Sequence, residues 1–385
     1  MRTAVIALVC ALAGGLAALA GGRATGWFVG TRTTETVVVR APSATAAAAP
    51  TAAPAFSASR IFRERSPGVV TVFAYFGGTG AQGSGFVVSA AGTILTNAHV
   101  ITNAGETTGR VSPASTVYVE FPDRDRVAAE IVGWDVFDDV GVLRIDPQAH
   151  ALQPLPLGRS RQVVVGQPVA AIGSPLGNAD SLAIGVVSAV GRSIAALTAP
   201  SFQLTDAIQT DAPIAHGSSG GPLLDASGRV IGINAQIRSD AGGPAGIGFA
   251  VPIDAARRSL RSLLTKGKVE YAYAGVQAED LTPSLAQHLR LPVEHGALVD
   301  RVTPGGPADR AGIRGGTKEE TFLGEQVVAG GDVIVAIDGR EVRDADSLVR
   351  IVTSELQPGS AVELTVVRDG RRRRITLTLA SRAAR

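Results

Sequence analysis

Short runs of β-branched and other apolar residues, separated by glycine, proline and polar turn residues, recur between residues 69 and 252. Many short strands with turns between them favour an all-β barrel. A stretch with two prolines at 154–158 divides the runs into two groups, so two barrels are expected. The first group lies at 69–73, 83–88, 93–100, 117–121, 127–132 and 140–145, and the second at 168–173, 182–190, 204–210, 230–235 and 247–252.

Beyond the barrels the pattern predicts a helix and then a mixed region. Residues 254–266 carry apolar side chains at helical spacing and a lysine at the end, which predicts a helix that closes the first domain. An amphipathic helix is expected around 346–352. The alternating runs at 362–367 and 375–379 meet around Asp369-Gly370, a strong turn dipeptide, and predict a hairpin.

The first 30 residues predict an export signal. The apolar run at 4–20 is near the lower limit for spanning a bilayer. Ala18-Leu19-Ala20 resembles a signal-peptide cleavage site, whereas Trp27-Phe28-Val29 continues the apolar character. We expect a retained N-terminal apolar helix as a single-span membrane anchor, with a cleaved signal peptide as the alternative. Residues 31–59, rich in Ala, Pro and Thr, are expected to be a linker.

The composition excludes some functions. The chain of 385 residues is long enough for two domains, and its net charge of +2 implies no strong field for nucleic acid, so we expect no nucleic-acid partner. The single cysteine, Cys10, lies in the N-terminal segment, so no disulfide is expected in the domains. The histidines lack the spacing of metal ligands, and no metal or other cofactor is implied.

A serine flanked by glycines is the candidate nucleophile. The segment reads His216-Gly217-Ser218-Ser219-Gly220-Gly221-Pro222. A serine hydroxyl needs a base to take its proton and donors to hold the oxyanion. Glycine tolerates backbone angles that point two N–H groups into one hole, here those of Gly217 and Ser219. The spacing Gly-x-Ser-x-Gly also fits the nucleophile elbow of α/β-hydrolases, so the serine alone leaves both classes open.

The order of the partner residues decides between the two classes. His99 lies where a predicted strand leads into a helical turn, and Asp139 directly precedes an apolar run. The order His99, Asp139, Ser219 is that of the chymotrypsin arrangement, whereas an α/β-hydrolase places both partners after the serine. Of the three nearby aspartates, Asp139 alone is expected to be buried against the imidazole. We expect Asp135 to cap the turn and Asp138 to be solvated.

Segments 96–100, 135–143 and 217–223 resemble the signatures of the HtrA/Deg family of trypsin-like serine proteases. The resemblance implies a mostly β fold, with a chymotrypsin-like double β-barrel at 60–266. In that family, residues matching His99, Asp139 and Ser219 are catalytic, and the N–H groups matching Gly217 and Ser219 form the oxyanion hole. The loop at 174–178 resembles the family's regulatory loop, although an ordinary turn explains it equally well.

The resemblance also suggests a substrate pocket. Pro213 stands six residues before the nucleophile, where trypsin-like enzymes selective for basic side chains carry an aspartate. Without that charge, a basic side chain would be desolvated without compensation. Ile214 and Ile237 match apolar pocket positions of the family, so cleavage after small or medium apolar residues is expected. His216 departs from the family's usual sequence; it can titrate near neutrality, but no catalytic role is expected.

Residues 268–385 resemble a PDZ domain of α+β type. Tyr273, Ala274, Gly275 and Val276 resemble its carboxylate-binding loop, where backbone N–H groups capture a peptide C-terminus and the peptide adds a strand. Residues 315–328 form an insertion relative to a minimal PDZ domain, and the sequence assigns no function to it.

The resemblance implies an extracytoplasmic serine endopeptidase of the bacterial cell envelope. Its expected partners are unfolded or damaged polypeptides and peptide C-termini, and its expected assembly is a homo-oligomer, a trimer or larger. The alternative is a chaperone-like scaffold that binds polypeptides with little proteolysis. A catalytically dead relative is expected to lack a triad residue, and all three are kept here, which disfavours the scaffold.

Overall fold

The computed structural model of the protein describes residues 56–104, 111–174, 181–195, 198, 203–214, 217–235 and 247–383. The predicted apolar helix within residues 1–30 and most of the predicted linker at 31–59 lie outside these ranges. In the part of the chain that the structure describes, no helix is long and apolar enough to cross a membrane.

The first six strands close into an antiparallel barrel. A helix precedes them, beginning after Ser57, whose hydroxyl accepts a hydrogen bond from the Arg60 N–H at 3.4 Å and so caps the helix. The elements are α1 (Ala58–Arg65), β1 (Val69–Phe76), β2 (Thr79–Val87), β3 (Thr93–Thr96), α2 (Ala98–Ile101), β4 (Thr116–Glu120), β5 (Arg126–Asp135) and β6 (Val140–Arg144). The strand order is β1-β2-β3-β6-β5-β4.

The next six strands form a second closed barrel, so the predicted double barrel is confirmed. They are β7 (Pro168–Gly173), β8 (Ser181–Ala195), β9 (Gln203–Thr210), β10 (Pro222–Leu224), β11 (Val230–Ala235) and β12 (Gly248–Pro252). Their order is β10-β11-β12-β9-β8-β7. The predicted closing helix follows as α3 (Ile253–Lys266) and ends at Gly267, whose φ of 69° is the left-handed conformation that glycine favours at a helix C-terminus.

The two barrels share one apolar core. Phe86 and Leu95 of the first barrel and Ile172, Leu224 and Ile233 of the second are fully buried in a single cluster. Burying each such side chain stabilises the fold by about 1.5–3 kcal/mol relative to leaving it exposed. The barrels are therefore fixed against each other, and loops from both meet along the seam between them.

The remaining residues form a smaller mixed domain. Its elements are β13 (Glu270–Tyr273), β14 (Val276–Leu281), α4 (Pro283–His288), β15 (Gly296–Val302), α5 (Pro307–Arg310), β16 (Lys318–Phe322), β17 (Glu325–Ala329), β18 (Val333–Ile337), β19 (Arg340–Glu341), α6 (Ala345–Arg350), β20 (Ala361–Arg368), β21 (Arg371–Thr378) and β22 (Ala380–Ala383). The main sheet has the order β14-β15-β18-β20-β21, with β19 beside β18, and β13 pairs with β22. A π-helical turn, Ile351–Glu355, continues α6.

Two hairpins in this domain match local sequence features. β20 and β21 pair in register up to Arg368 opposite Arg371, and the turn between them places Asp369 at φ 50° and Gly370 at φ 72°. Both residues therefore take the left-handed conformation of the predicted tight turn, and that prediction is confirmed. The insertion at 315–328 contains most of a separate hairpin, β16 and β17.

Candidate active site

Asp139 holds His99 at two points. The His99 ring Nδ1 lies 2.7 Å from Asp139 Oδ2, and the backbone N–H of His99 donates to Asp139 Oδ1 at 3.0 Å. Asp139 is buried just before β6, and the Asn97 side-chain amide donates to its carbonyl at 2.8 Å. With Nδ1–H donating to the carboxylate, the other ring nitrogen, Nε2, can accept a proton.

The same contact changes the titration of the imidazole. Burial by itself lowers the pKa of His99, but the charge of Asp139 and its hydrogen bond outweigh this effect, so the pKa is raised from 6.5. A raised pKa means that the ring keeps its proton to a higher pH than a free histidine. The neutral form that can act as a base is therefore expected to accumulate above pH 6.5.

The serine loop (residues 217–221) is shaped by its glycines. Gly217 and Gly220 have φ of 91° and 89°, which only glycine adopts without strain. A Cβ at Gly220 would lie 2.1 Å from the Ser84 carbonyl oxygen, so no side chain fits there. The Gly220 N–H donates to the Asn234 carbonyl at 2.9 Å, and the Asn234 N–H donates to the Gly221 carbonyl at 2.8 Å. The loop is therefore fastened to β11.

Contacts through β2 place Ser219 beside the helix that carries His99. The Ser84 N–H donates to the Ser219 carbonyl at 2.7 Å. A Cβ built on the neighbouring Gly83 would lie 2.6 Å from a methyl carbon of Val100 and 3.1 Å from the Ser219 carbonyl oxygen. The residue that follows His99 and the backbone of Ser219 thus pack against the same glycine. His99 and Asp139 are therefore in contact, and the backbone of Ser219 lies close to the helix that carries His99, at the seam of the two barrels.

Ser84 is a residue of this site that the sequence reasoning missed. Its buried hydroxyl donates to the Gly217 carbonyl at 2.5 Å and accepts from the Ser174 N–H at 2.9 Å. The Gln82 side chain, two positions earlier on β2, donates to the Ser174 carbonyl at 3.2 Å. The signal that was available is a polar residue between Gly83 and Gly85, in a strand that otherwise becomes apolar.

The acid loop (residues 135–139) contains two further buried carboxylates. Asp135 Oδ1 accepts from the N–H groups of Phe137 at 3.0 Å and Asp138 at 3.4 Å, so the prediction that Asp135 caps the turn is confirmed. The prediction that Asp138 is solvated is wrong, whereas Asp139 is, as expected, the one of the three aspartates that is buried against the imidazole. Asp135 is 0% and Asp138 5% exposed. The reason is that α3 and β13 cover the loop from outside the first barrel.

The second oxygen of Asp135 is held by residues from those two elements. Asp135 Oδ2 accepts from the Ser259 hydroxyl at 2.6 Å and from the Tyr271 hydroxyl at 2.5 Å. Burial, followed by the charge of Asp138, raises the pKa of Asp135 to about 7. Burial also raises the pKa of Asp138, against the charge of Arg258, whose Nη2 lies 3.7 Å from Asp138 Oδ2. The acid loop therefore carries a buried, partly compensated negative charge.

The predicted substrate pocket is described only in part. Ile214 lies at the end of the segment after β9, and a Cβ at Gly248 would lie 2.8 Å from Ile214 Cδ1, so the isoleucine packs closely over β12. Ile237 and His216 lie outside the described residues, as do residues 175–178 of the loop that resembles the regulatory loop. The assignment of the pocket stays a prediction.

The predicted carboxylate loop borders a groove in the second domain. The groove has a volume of about 380 Å³ and lies between the segment 272–278 and the helix α6 with its π-helical continuation. The Ala274 and Gly275 carbonyls accept from the N–H groups of Ala308 and Thr303, both at 2.9 Å. Since a carbonyl and the next N–H of a trans peptide point in opposite directions, the N–H groups of Gly275 and Val276 point away from those partners.

The edge of β14 can extend this groove. Among the described residues, β14 stands at the end of its sheet and pairs on one side, with β15. An unpaired strand edge offers backbone donors and acceptors to an added strand. Gly275, directly before β14, has a φ of 80°, a left-handed conformation that glycine adopts without strain.

Comparison with known proteins defines the class. Residues 83–233 match the family model described as a trypsin-like peptidase domain, and residues 272–379 match the model of a PDZ domain. The double barrel with His99, Asp139 and Ser219 at its seam agrees with the first match, and the mixed domain agrees with the second. The protein is a trypsin-like serine protease followed by a PDZ domain.

The chain belongs to the HtrA-type family of serine proteases. The putative serine protease HhoA of Synechocystis sp. is 40% identical over 307 residues, which cover 78% of this chain and 70% of that protein. A probable periplasmic serine endoprotease of DegP-like type from Pseudomonas fluorescens is 38% identical over 77% of this chain, which spans only 56% of that relative. The solved structure of the HtrA-type protease AlgW with a tripeptide superimposes with a TM-score of 0.69 at 34% identity, over 85% of this chain and 97% of that one.

Proposed function

We propose that this protein is an extracytoplasmic endopeptidase that cleaves polypeptides through an acyl-enzyme. In this mechanism Ser219 attacks the scissile carbonyl while His99 takes the proton of its hydroxyl through Nε2 and later donates it to the leaving amine. Asp139 fixes the tautomer of His99 and stabilises the imidazolium. This proposal rests on the hydrogen bonds from the ring and the backbone N–H of His99 to Asp139, because they leave Nε2 as the nitrogen that can accept a proton.

The oxyanion is assigned to the N–H groups of Gly217 and Ser219. The positive φ of Gly217 and the anchoring of the serine loop to β11 support this assignment, since donors stabilise an oxyanion best when they are held in place beforehand. Each such donor typically contributes about 10²–10³-fold to the rate.

The proposed substrates are unfolded or damaged polypeptides, cleaved after small or medium apolar residues. The pocket would be lined by Ile214 and Ile237, with Pro213 in place of a charge. The groove beside Tyr273, Ala274, Gly275 and Val276 is proposed to bind peptide C-termini by adding a strand to β14. The periplasmic location in the names of the DegP-like relatives supports action outside the cytoplasm.

We further propose that the chain assembles into a homotrimer or a larger oligomer and is anchored by its N-terminal apolar segment. The support is the family resemblance for the assembly, and the apolar run at residues 4–20 for the anchor. Sedimentation of the detergent-solubilised chain tests the oligomer, and alkaline extraction of membranes tests the anchor.

Digestion of β-casein, an unfolded protein without disulfides, tests the proposed activity. The chain should degrade it, Ser219→Ala should not, and Ser218→Ala, which removes the neighbouring hydroxyl from the same loop, should retain activity. Cut sites after Val, Ala or Leu would support the pocket, whereas dominant cleavage after Arg or Lys would contradict it. If neither the chain nor Ser218→Ala cleaves β-casein, even with an added C-terminal peptide, the protein is better interpreted as a chaperone-like scaffold than as a protease.

A further inference from the structure

One buried residue of the first barrel satisfies polar groups of three other segments. Ser84 is 0% exposed, and its hydroxyl connects the Ser174 N–H to the Gly217 carbonyl. Its own N–H donates to the Ser219 carbonyl at 2.7 Å, and its carbonyl accepts from the Thr96 hydroxyl at 2.6 Å. Every donor and acceptor group of Ser84 is therefore engaged at the seam of the two barrels.

The hydrogen bond from Ser84 restricts the backbone rotation of Gly217, which is freer in a glycine than in any other residue. A glycine can rotate the peptide planes on both of its sides, and Gly217 already has a φ of 91°. The hydrogen bond from the Ser84 hydroxyl fixes the carbonyl side. The direction of this bond is set because the N–H of Ser174, directly after β7, can only donate to the hydroxyl, so the single hydroxyl proton goes to the Gly217 carbonyl.

The contact with Ser219 limits the other end of the same short segment. Because the Ser84 N–H donates to the Ser219 carbonyl, Gly217 and Ser219 are both hydrogen-bonded to the same residue of β2. Gly173 packs beneath them: a Cβ built there would lie 2.7 Å from the Ser218 Cα. The segment between Gly217 and Ser219 is thus held from β2 on one side and from β7 on the other.

We propose that Ser84 is a positioning residue for the oxyanion hole, setting the orientation of Gly217 relative to Ser219. This inference rests on the proposed function, since it takes the N–H groups of these two residues as the oxyanion donors. Ser84 does not touch the substrate. Its effect is on the transition state, in which the oxyanion forms, and much less on substrate binding.

The test compares Ser84→Ala with the parent chain on an apolar peptide substrate. The two N–H donors remain in this variant, but the hydrogen bond that fixes the Gly217 carbonyl is lost. We therefore expect kcat to fall about 10- to 100-fold, which is no more than the loss typical of removing one oxyanion donor. KM is expected to stay within about threefold of the parent value. The inhibition constant of a peptide boronic acid, whose adduct with Ser219 places an oxygen in the hole, should rise by a similar factor. A merely structural role lowers the active fraction and leaves boronate affinity unchanged.

Thr71→Val is the matched control. Thr71 lies directly opposite Ser84 on β1 and is also buried, so its replacement removes a hydroxyl from the same strand pair. We expect kcat, KM and the boronate inhibition constant of this variant to stay within about threefold of the parent values. A loss equal to that of Ser84→Ala would show that any buried hydroxyl at this strand pair matters, and would overturn the inference.

A second variant covers the case in which Ser84→Ala fails to fold. Ser84→Cys keeps nearly the same volume but has only a weak S–H donor, so an intermediate loss of kcat and of boronate affinity is expected. Parental kcat in either folded variant would overturn the inference. If the parent degrades β-casein and Ser219→Ala does not, the proposed function stands even when the role of Ser84 fails.

Discussion

The serine loop and the acid loop meet at the same seam, but they are stabilised by different chemistry. The serine loop is held by neutral groups: backbone hydrogen bonds to Asn234 and the hydroxyl of Ser84. The acid loop is held through a buried carboxylate, Asp135, which receives hydroxyl groups from α3 and from β13. Neutral contacts do not titrate near pH 7, whereas a buried carboxylate with a raised pKa does. The support of Ser219 should therefore be nearly independent of pH, and the support of Asp139 should depend on it.

Among substitutions in the acid loop, Asp139→Asn is expected to have the largest effect. An amide can impose the wrong tautomer on His99, and the corresponding change in a serine protease triad lowers kcat about 10⁴-fold. The variant also loses the charge that raises the pKa of His99. Peptide hydrolysis followed from pH 5 to 9 should show this loss and a rising limb shifted to lower pH than in the parent.

The neighbouring Asp138 provides the control for that experiment. Asp138→Asn leaves the contact between His99 and Asp139 in place, so a loss of less than about tenfold is expected. An equal loss in both variants would contradict the assignment of Asp139 as the acid.

A smaller effect, on stability, is expected from Asp135→Asn. The pKa of Asp135 is about 7 in the folded chain against 3.8 for the free group, so the folded state binds more protons between these values. The free energy of unfolding of the parent therefore loses a contribution as pH rises from about 4 to 7, on the order of 3 kcal/mol. Asn does not titrate, so urea unfolding should show the variant gaining stability relative to the parent between pH 5 and pH 8.

Asp125→Asn, at an exposed aspartate, is the matched control for the loss of a carboxylate, and its unfolding is compared with that of the parent at the same two pH values. A constant difference between Asp135→Asn and the parent at pH 5 and pH 8 would contradict the titration of the acid loop and remove the contrast with the serine loop.

The smallest effect is expected from Tyr271→Phe. The change removes the hydroxyl that donates to Asp135 and faces Asp138, so the ionised carboxylates lose a partner. The loss should be about 1–2 kcal/mol at pH 8 and less at pH 5, where Asp135 is protonated. Equal losses at both pH values, measured by urea unfolding, would show that the contribution of the hydroxyl does not depend on the ionisation of Asp135, and would contradict the prediction.

Local patterns predicted much of the fold. The double barrel followed from short apolar runs between turn residues, and the β20–β21 hairpin from Asp369-Gly370, because these signals depend on neighbours along the chain. The segments carrying His99, Asp139 and Ser219 were recognised by the order of their residue types. The approach of the serine loop to the helix that carries His99 required only that the two barrels pack together.

The sequence did not predict the supports of the two loops. Asp138 was expected to be solvated because Asp139, and not Asp138, directly precedes the apolar run at 140–143, but α3 and β13, more than 100 residues later, cover it. Ser84 looked like an ordinary strand residue because Gly217 and Ser174 are 133 and 90 residues away. Partners so distant leave no periodic signal in a single sequence.

The most direct test of the central claim is covalent labelling by a fluorophosphonate, followed by mass spectrometry of the digested chain. We expect a single adduct, on Ser219, that forms faster as pH rises through the pKa of His99 and is absent from Ser219→Ala. An adduct on another residue, or labelling of Ser219 at a rate independent of pH between 5 and 9, would contradict the assignment of His99, Asp139 and Ser219.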